Sequence, residues 1–90
     1  MKSVRWTAYA RKKIALREID TNEVEQTVEN PEQVVEGSPP RKIYMRRYHD
    51  VVLNVTLLLR VVVEPAAEEL VVVTVYKTSK IEKYLKGAAP

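Results

Sequence analysis

Residues 57–77 read LLLRVVVEPAAEELVVVTVYK, and the fold class follows mainly from this stretch. Leucine and β-branched valine dominate it, and such side chains favour buried strands. The PAAE segment at 65–68 interrupts the apolar run and predicts a turn. We therefore predict two antiparallel strands, over 57–64 and 69–77, joined as a hairpin.

The pairing of these two strands follows from the length of the turn. A four-residue loop places Glu64 opposite Glu69. Alternation then assigns to one face Leu57, Leu59, Val61, Val63, Leu70, Val72, Thr74 and Tyr76. The opposite face carries other apolar side chains, with Arg60 near Val73. A slip of one residue would exchange the two faces, because the side-chain period of a strand is two.

The residues before the hairpin predict two helices. A short strand over 4–7 leads into a helix over 8–18, which contains neither glycine nor proline. Asp20 is a suitable N-cap for the second helix, and Glu23 completes a capping-box pattern. Pro31 ends that helix.

Two further strands follow, over 33–36 and 41–48, separated by the GSPP turn at 37–40. Alternation in the second strand directs Ile43 and Met45 to one face and Tyr44, Arg46 and Tyr48 to the other. Residues 49–54 have no clear pattern and predict a loop or an irregular extension of the strand.

These elements predict an α+β fold: two short N-terminal helices packed on a mostly antiparallel twisted sheet of about five strands, with a short C-terminal helix. Ser79 and Glu82 form a second capping-box pattern and predict that last helix over 80–86. Strands that are apolar on both sides need cover on both sides. Because the last helix is short, we expect a homodimer or an obligate protein partner to cover what remains.

The composition limits the classes of site that the chain can hold. Its 90 residues predict a single domain, residues 1–90. The absence of cysteine and the presence of one histidine, His49, predict no disulfide framework, no metal site and no cofactor.

The N-terminus lacks an apolar signal segment, and the longest apolar run, 51–63, is too short for a spanning helix, so we expect a cytoplasmic protein without membrane contact. The scarcity of asparagine, glutamine and methionine is typical of a thermophile.

Charge is segregated along the chain, although the net charge is only +3. The charged residues of segment 2–17 are all basic, those of 18–36 are all acidic, and those of 41–47 are all basic. Such segregation predicts separate charged faces.

Tyr9, Lys13 and Arg17 are spaced four residues apart, so they lie on one face of the first helix. Two cations beside a phenol suit an RNA phosphate, because the cations stabilise charge on the phosphoryl oxygens while the phenol moves a proton. The alternative is a ring packed at the sheet edge beside two solvated cations, which is the commoner arrangement.

Tyr44, Arg46 and Tyr48 interleave aromatic and basic groups on one strand face, with Arg47 opposite. Bases stack on aromatic rings and guanidinium groups contact phosphates, so this face is a candidate platform for single-stranded RNA. Tyrosine and arginine are equally ordinary on a half-exposed strand.

Arg60 is the one charge inside an apolar strand and needs a partner, since burying an unpaired guanidinium is costly. Either it pairs with an acid such as Glu36, or it faces a ligand phosphate near Lys77. His49 beside Asp50 suggests a general base with an orienting carboxylate, although adjacent residues seldom face each other and an exposed loop histidine is commoner.

The chain resembles the uncharacterised family catalogued as domain of unknown function 4258. The similar segments are TAYA at 7–10, NPEQVVEG at 30–37, LRVVVE at 59–64 and VTVYKTSKIEKY at 73–84, with Lys13, Ile14, Arg17, Ile19 and Val24 between them. The layout of that family is similar to RelE/ParE-like and BrnT-like toxins, small basic domains of which some cleave RNA. Members commonly have histidine where this chain has Tyr9.

The resemblance implies a first function: a toxin-type domain that binds RNA or cleaves it without a metal. Arg60 and Tyr76 are its leading site candidates, the Tyr9, Lys13 and Arg17 face assists them, and Tyr44, Arg46, Tyr48 and Lys77 contact nucleic acid. Its partners would be RNA or the ribosome, and an antitoxin protein. The alternative is a non-catalytic module that dimerises or holds a protein through its apolar sheet face. An antitoxin or regulator ranks last, since the sequence lacks a helix-turn-helix pattern.

Overall fold

The computed structural model describes residues 3–85 and confirms the α+β fold. Its elements are β1 (Ser3–Trp6), α1 (Ala8–Leu16), α2 (Thr21–Glu29), β2 (Gln33–Glu36), β3 (Lys42–Asp50), β4 (Val55–Pro65), β5 (Glu69–Thr78) and α3 (Ile81–Tyr84). The five strands form one sheet in the order β1-β5-β4-β3-β2. Neighbouring strands are antiparallel except β1, which runs parallel to β5.

The β4–β5 hairpin forms as predicted, but its predicted register is wrong. Next to the turn, Pro65 pairs with Leu70 and Glu64 with Val71, whereas the prediction paired Glu64 with Glu69. The strands therefore continue closer to the turn than the sequence suggested. This difference alone moves the register by two residues and leaves the faces unchanged.

A β-bulge at Val73 moves the register by one more residue. Val63 pairs with Val72 and Val62 with Thr74, so Val73 has no partner of its own on β4. An extra residue in one strand exchanges the faces of every residue beyond it.

The bulge decides which side chains meet around Arg60. It places Tyr76 opposite Arg60, where the prediction had Val73. Thr74 and Tyr76 consequently lie on the opposite face from the one predicted. Val75 takes their place in the core beneath the helices.

Helix α1 ends two residues before the predicted limit, because the chain adopts a left-handed conformation at Glu18, with φ of 51°. The amide of Glu18 donates to the carbonyl of Ala15 at 3.3 Å, and the amide of Ile19 donates to the carbonyl of Ile14 at 3.0 Å. This pattern is a Schellman motif. Ile19 and Ile14, its two apolar members, are both buried in the core.

Helix α2 begins as predicted. The Asp20 carboxylate accepts from the amide of Asn22 at 2.8 Å, which satisfies one of the free amides of the first turn. The Glu23 carboxylate does not complete the predicted capping box and instead lies 3.4 Å from the Arg46 guanidinium. Val24 and Val28 form the buried stripe of the helix.

Strand β3 is longer than predicted and continues to Asp50. The turn to β4 closes when the amide of Asn54 donates to the carbonyl of Asp50 at 2.7 Å, with Asn54 at a φ of 55°. The predicted alternation is confirmed, since Tyr44 and Tyr48 pack on the helix side while Ile43 and Met45 pack on the other.

The sheet separates two apolar clusters. On the face covered by α1 and α2, the helix face, the buried residues are Ala10, Ile14, Ile19, Val24, Val28, Tyr48, Leu57, Leu59, Val61, Val63, Val72 and Val75. On the other face, the α3 face, they are Met45, Leu58 and Leu85, with Ile81 and Tyr84 packed against them. Both faces of the sheet are therefore covered, as the apolar strands predicted, and α3 covers part of the α3 face.

Helix α3 is shorter than the predicted helix over 80–86, whose last residue lies outside the described residues. It begins at Ile81 after Lys80, which supplies no side-chain cap. The predicted capping box at Ser79 does not form; instead the Thr78 hydroxyl accepts from the amide of Lys80 at 3.1 Å. No helix within residues 3–85 combines the length and apolarity needed to cross a membrane.

Candidate functional site

Arg60 lies at the centre of the α3 face. Its neighbours across the sheet are Met45 on β3 and Tyr76 on β5. The guanidinium carbon lies 5.1 Å from the centre of the Tyr76 ring and 4.0 Å from the centre of the Tyr84 ring. The side chain is thus held between a strand tyrosine and a helix tyrosine, with 9% of the residue exposed.

No carboxylate neutralises Arg60 within the described part of the chain. Its buried Nε has no hydrogen-bond partner, and no ion pair includes it. The acid suggested as its partner, Glu36, lies 3.7 Å from Lys42 instead. Lys77, suggested as a neighbour, follows Tyr76 in β5 and projects to the helix face.

The ring contacts offset only part of the cost of burying this cation. A cation–π contact contributes up to about 2 kcal/mol when it is desolvated. The effective penalty for taking an ion out of water is several kcal/mol, and a hydrogen-bonded anion normally offsets it. An anionic ligand would therefore be stabilised beside Arg60.

Lys83 extends this group of charged and aromatic side chains. Its ammonium lies 5.3 Å from the centre of the Tyr84 ring, the ring that also stacks on Arg60. We call Arg60, Tyr76, Lys83 and Tyr84 the Arg60 cluster. Two cations with two phenols, and no acid paired with either cation within residues 3–85, suit a phosphate group.

The predicted residues Tyr9, Lys13 and Arg17 share one face of α1, but they make different contacts. The Lys13 ammonium lies 5.1 Å from the centre of the Tyr9 ring. Arg17 Nη1 donates to the carbonyl of Val75 at 2.7 Å, on the part of the β5 edge that β1 leaves unpaired. Arg17 therefore fastens α1 to the sheet. Its contact is on the helix-face side of β5, whereas Tyr76 projects from the α3 face.

The predicted RNA platform on β3 lies under α2. Tyr48 is 8% exposed and belongs to the helix-face core, and Tyr44 packs partly buried against that core. Arg46 pairs with Glu23 of α2. A base cannot stack on Tyr48 without opening the core.

Arg47, on the opposite face of the same strand, makes a bidentate contact with Glu32. Its Nη2 and Nε lie 2.6 Å and 3.0 Å from Glu32 Oε1. These hydrogen bonds hold the pKa of Glu32 below its usual value. Arg47 is thus engaged in a surface ion pair.

A buried polar group around Asp50 did not emerge from the sequence. The Asp50 carboxylate accepts from the Tyr48 hydroxyl, the Lys77 ammonium and the Leu53 amide, each at 2.9 Å. The hydrogen bond from Lys77, followed by that from Leu53, lowers the pKa of Asp50 to about 2. Burial and the neighbouring carboxylate raise the pKa of Tyr48.

The Asp50 group joins three elements of the fold. Lys77 on β5 also donates to the carbonyl of Glu18 at 3.4 Å, so it links β3 to the end of α1. His49 does not contact Asp50 as a general base would; its Nε2 lies 3.1 Å from Asn54 Oδ1. Strand alternation accounts for this, because it places Tyr48 and Asp50 on one face and His49 on the other.

A family model described as Domain of unknown function (DUF4258) matches residues 6–77. The match includes Arg60 and Tyr76, but it ends before α3 and therefore before Lys83 and Tyr84. No curated protein and no solved structure matches the chain.

Proposed function

We propose that this chain, which belongs to the DUF4258 family, is an RNA-binding domain of the RelE/BrnT toxin type that cleaves RNA without a metal ion. Arg60 and Tyr76 are its working groups. The similarity in layout to those toxins is a fold-level argument, so the proposal depends on the chemistry of the Arg60 cluster.

The observation that carries the proposal is the unneutralised Arg60 guanidinium. Its Nε is buried without a hydrogen-bond partner among residues 3–85, and its guanidinium lies against the rings of Tyr76 and Tyr84. A phosphodiester supplies the missing negative charge and the acceptor oxygens. The adjacent Tyr76 ring adds a surface on which a base stacks, so the ligand class is single-stranded RNA.

The proposed reaction uses the ribose 2′-hydroxyl as the nucleophile. Its oxygen forms a bond to the adjacent phosphorus, the bond from phosphorus to the 5′-oxygen breaks, and a 2′,3′-cyclic phosphate and a 5′-hydroxyl result. Arg60 stabilises the charge that develops on the phosphoryl oxygens. The Tyr76 phenol donates its proton to the departing 5′-oxygen, water accepts the proton of the 2′-hydroxyl, and the phenol is then reprotonated by water.

Binding requires that Tyr84 move away from the guanidinium. The ring lies 4.0 Å over Arg60, where a phosphate or a base would lie. Helix α3 has four residues and no side-chain N-cap, so it is a weakly fixed cover. In the complex an RNA base replaces the ring of Tyr84.

The test is cleavage of end-labelled RNA in the presence of a chelator. We expect cleavage by the wild-type protein and by Arg47→Gln, a control that alters a surface ion pair with Glu32. We expect its loss in Arg60→Gln and Tyr76→Phe. Tyr76→Phe keeps the ring beside Arg60, so this variant separates loss of chemistry from loss of folding. Intact RNA in all samples, even with ribosomes supplied, would contradict the proposal.

A further inference from the structure

Exposed apolar side chains are concentrated on two neighbouring parts of the surface. Seven large hydrophobic residues of the described chain are exposed: Tyr9, Leu16, Val34, Val51, Val52, Leu53 and Val55. Four of them form the β3–β4 turn and the start of β4, and two lie on α1. Val52 is 63% exposed and Leu16 is 64% exposed. Only Val34, on the edge strand β2, lies elsewhere.

The two parts meet at one end of the molecule. Lys77 donates both to the carbonyl of Glu18, two residues after Leu16, and to the carboxylate of Asp50, which precedes the turn. A cavity of about 360 Å³ lies between the turn and the α1–α2 junction; it is lined by Glu18, Ile19, Asp20, Glu23, Tyr48, His49, Asp50, Val51 and Val52. We call the five exposed side chains at this end, Leu16, Val51, Val52, Leu53 and Val55, the apolar end surface.

Charges of opposite sign border the apolar end surface. On the α1 side are Lys12 and Lys13, three or four residues from Tyr9 and Leu16 on the same outward side of the helix. On the junction side are Glu18 and Asp20. Within residues 3–85, no ion pair includes Lys12, Glu18 or Asp20.

We propose that a second copy of this chain covers the apolar end surface in a two-fold symmetric dimer. A two-fold axis brings the basic border of one protomer against the acidic border of the other, and it does so twice. The apolar side chains of both protomers are then buried between the two charged contacts. An RNA occupant is disfavoured because Glu18 and Asp20 repel phosphate.

The dimer is independent of the proposed RNA site. Arg60 and Tyr84 lie on the α3 face, whereas α1 covers the helix face of the same sheet. The dimer therefore leaves the Arg60 cluster open. It also uses a different surface from the apolar sheet face predicted from the sequence.

The test is sedimentation equilibrium of the full chain over a range of protein concentrations. We expect a monomer–dimer equilibrium in the wild-type protein. Val52→Glu should raise the dissociation constant at least about tenfold, because the substitution occurs twice in one interface. Val34→Glu is the matched control, since Val34 is an exposed valine away from this surface, on β2, and it should leave the constant unchanged. Circular dichroism verifies that both variants are folded.

A charge exchange tests the orientation of the protomers. Lys12→Glu and Glu18→Lys should each weaken the dimer by about threefold to tenfold, and the double variant should recover most of the loss. A monomer at every concentration would overturn the proposal. So would an open-ended assembly larger than a dimer, equal effects of Val52→Glu and Val34→Glu, or additive losses in the double charge variant.

Discussion

Replacing Asp50 with asparagine tests the physical account of the Asp50 group. Asparagine has the shape of a protonated aspartic acid and retains one acceptor oxygen for the Leu53 amide. It removes the negative charge that the Lys77 ammonium contacts at 2.9 Å. The variant therefore isolates the contribution of the ionised carboxylate to the free energy of unfolding.

The structure gives the size of this contribution. The pKa of Asp50 is lowered from 3.8 to about 2 in the folded protein. At about 1.4 kcal/mol for each pKa unit, this difference corresponds to between about 2 and 3 kcal/mol of stability. The carboxylate is 4% exposed, so solvent screening reduces the value little.

The contribution has a defined dependence on pH. Because the folded pKa is lowered, the stabilisation is fully present above the unfolded value of 3.8 and is lost as pH falls through the folded value of about 2. The wild-type protein should therefore exceed Asp50→Asn in stability by between about 2 and 3 kcal/mol at about pH 7. The two proteins should converge as the pH approaches about 2.

Urea unfolding followed by circular dichroism measures both quantities. Glu36→Gln is the matched control: Glu36 forms an exposed pair with Lys42 at 3.7 Å, and its replacement should change stability by less than about 1 kcal/mol. Equal stability of Asp50→Asn and wild type at about pH 7, or a difference that does not shrink in acid, would show that the ionised Asp50 carboxylate does not stabilise the fold.

Substitutions at two further positions test local features of the fold. Glu18→Gly should stabilise the protein by between about 0.5 and 1 kcal/mol in thermal unfolding, because Glu18 adopts a φ of 51° that glycine tolerates without strain; destabilisation would contradict the assigned helix end. Tyr84→Leu should lower the free energy of urea unfolding by between about 1 and 2 kcal/mol through loss of the ring that stacks on Arg60, whereas Tyr84→Phe should have little effect. Equal losses in the two Tyr84 variants would show that the stacking contact is not responsible.

Local signals in the sequence predicted the elements of the fold well. Strand β2 has the predicted bounds, and Asp20 caps α2 as its side chain and position indicated. Such features depend on residues close in the chain, so a short window contains the information. The early end of α1 could be predicted from the sequence only in part. The left-handed residue that ends a helix is usually glycine, whereas this position is occupied by Glu18.

The register of the hairpin could not be read from the sequence. Residues 70–75 are LVVVTV, and nothing in this run distinguishes Val73 as the residue that leaves the ladder. The bulge is selected by packing on both faces of the finished sheet. The neighbour of Arg60 on β5 depends on this bulge, so the predicted proximity of Arg60 to Val73 was wrong and Tyr76 lies opposite Arg60 instead.

The Asp50 group illustrates a second limit. A predicted strand that reached residue 50 would have placed Tyr48 and Asp50 on one face by alternation. The sequence over 49–54 has no clear pattern, so the end of the strand could not be predicted. The contact with Lys77 joins residues 27 positions apart and exists only in the folded sheet. Similarly, Tyr84 reaches Arg60 only because α3 folds back over the α3 face.

In the proposed function, the Arg60 guanidinium receives an RNA phosphate. The most direct measurement follows the arginine side-chain Nε resonances by NMR while a short single-stranded RNA is added. The RNA carries 2′-O-methyl riboses, so that it cannot be cleaved. We predict that the Arg60 resonance shifts and saturates with the RNA, while that of Arg47, bound to Glu32, does not move. Saturable RNA binding that leaves the Arg60 resonance in place, or no binding at all, would contradict the account.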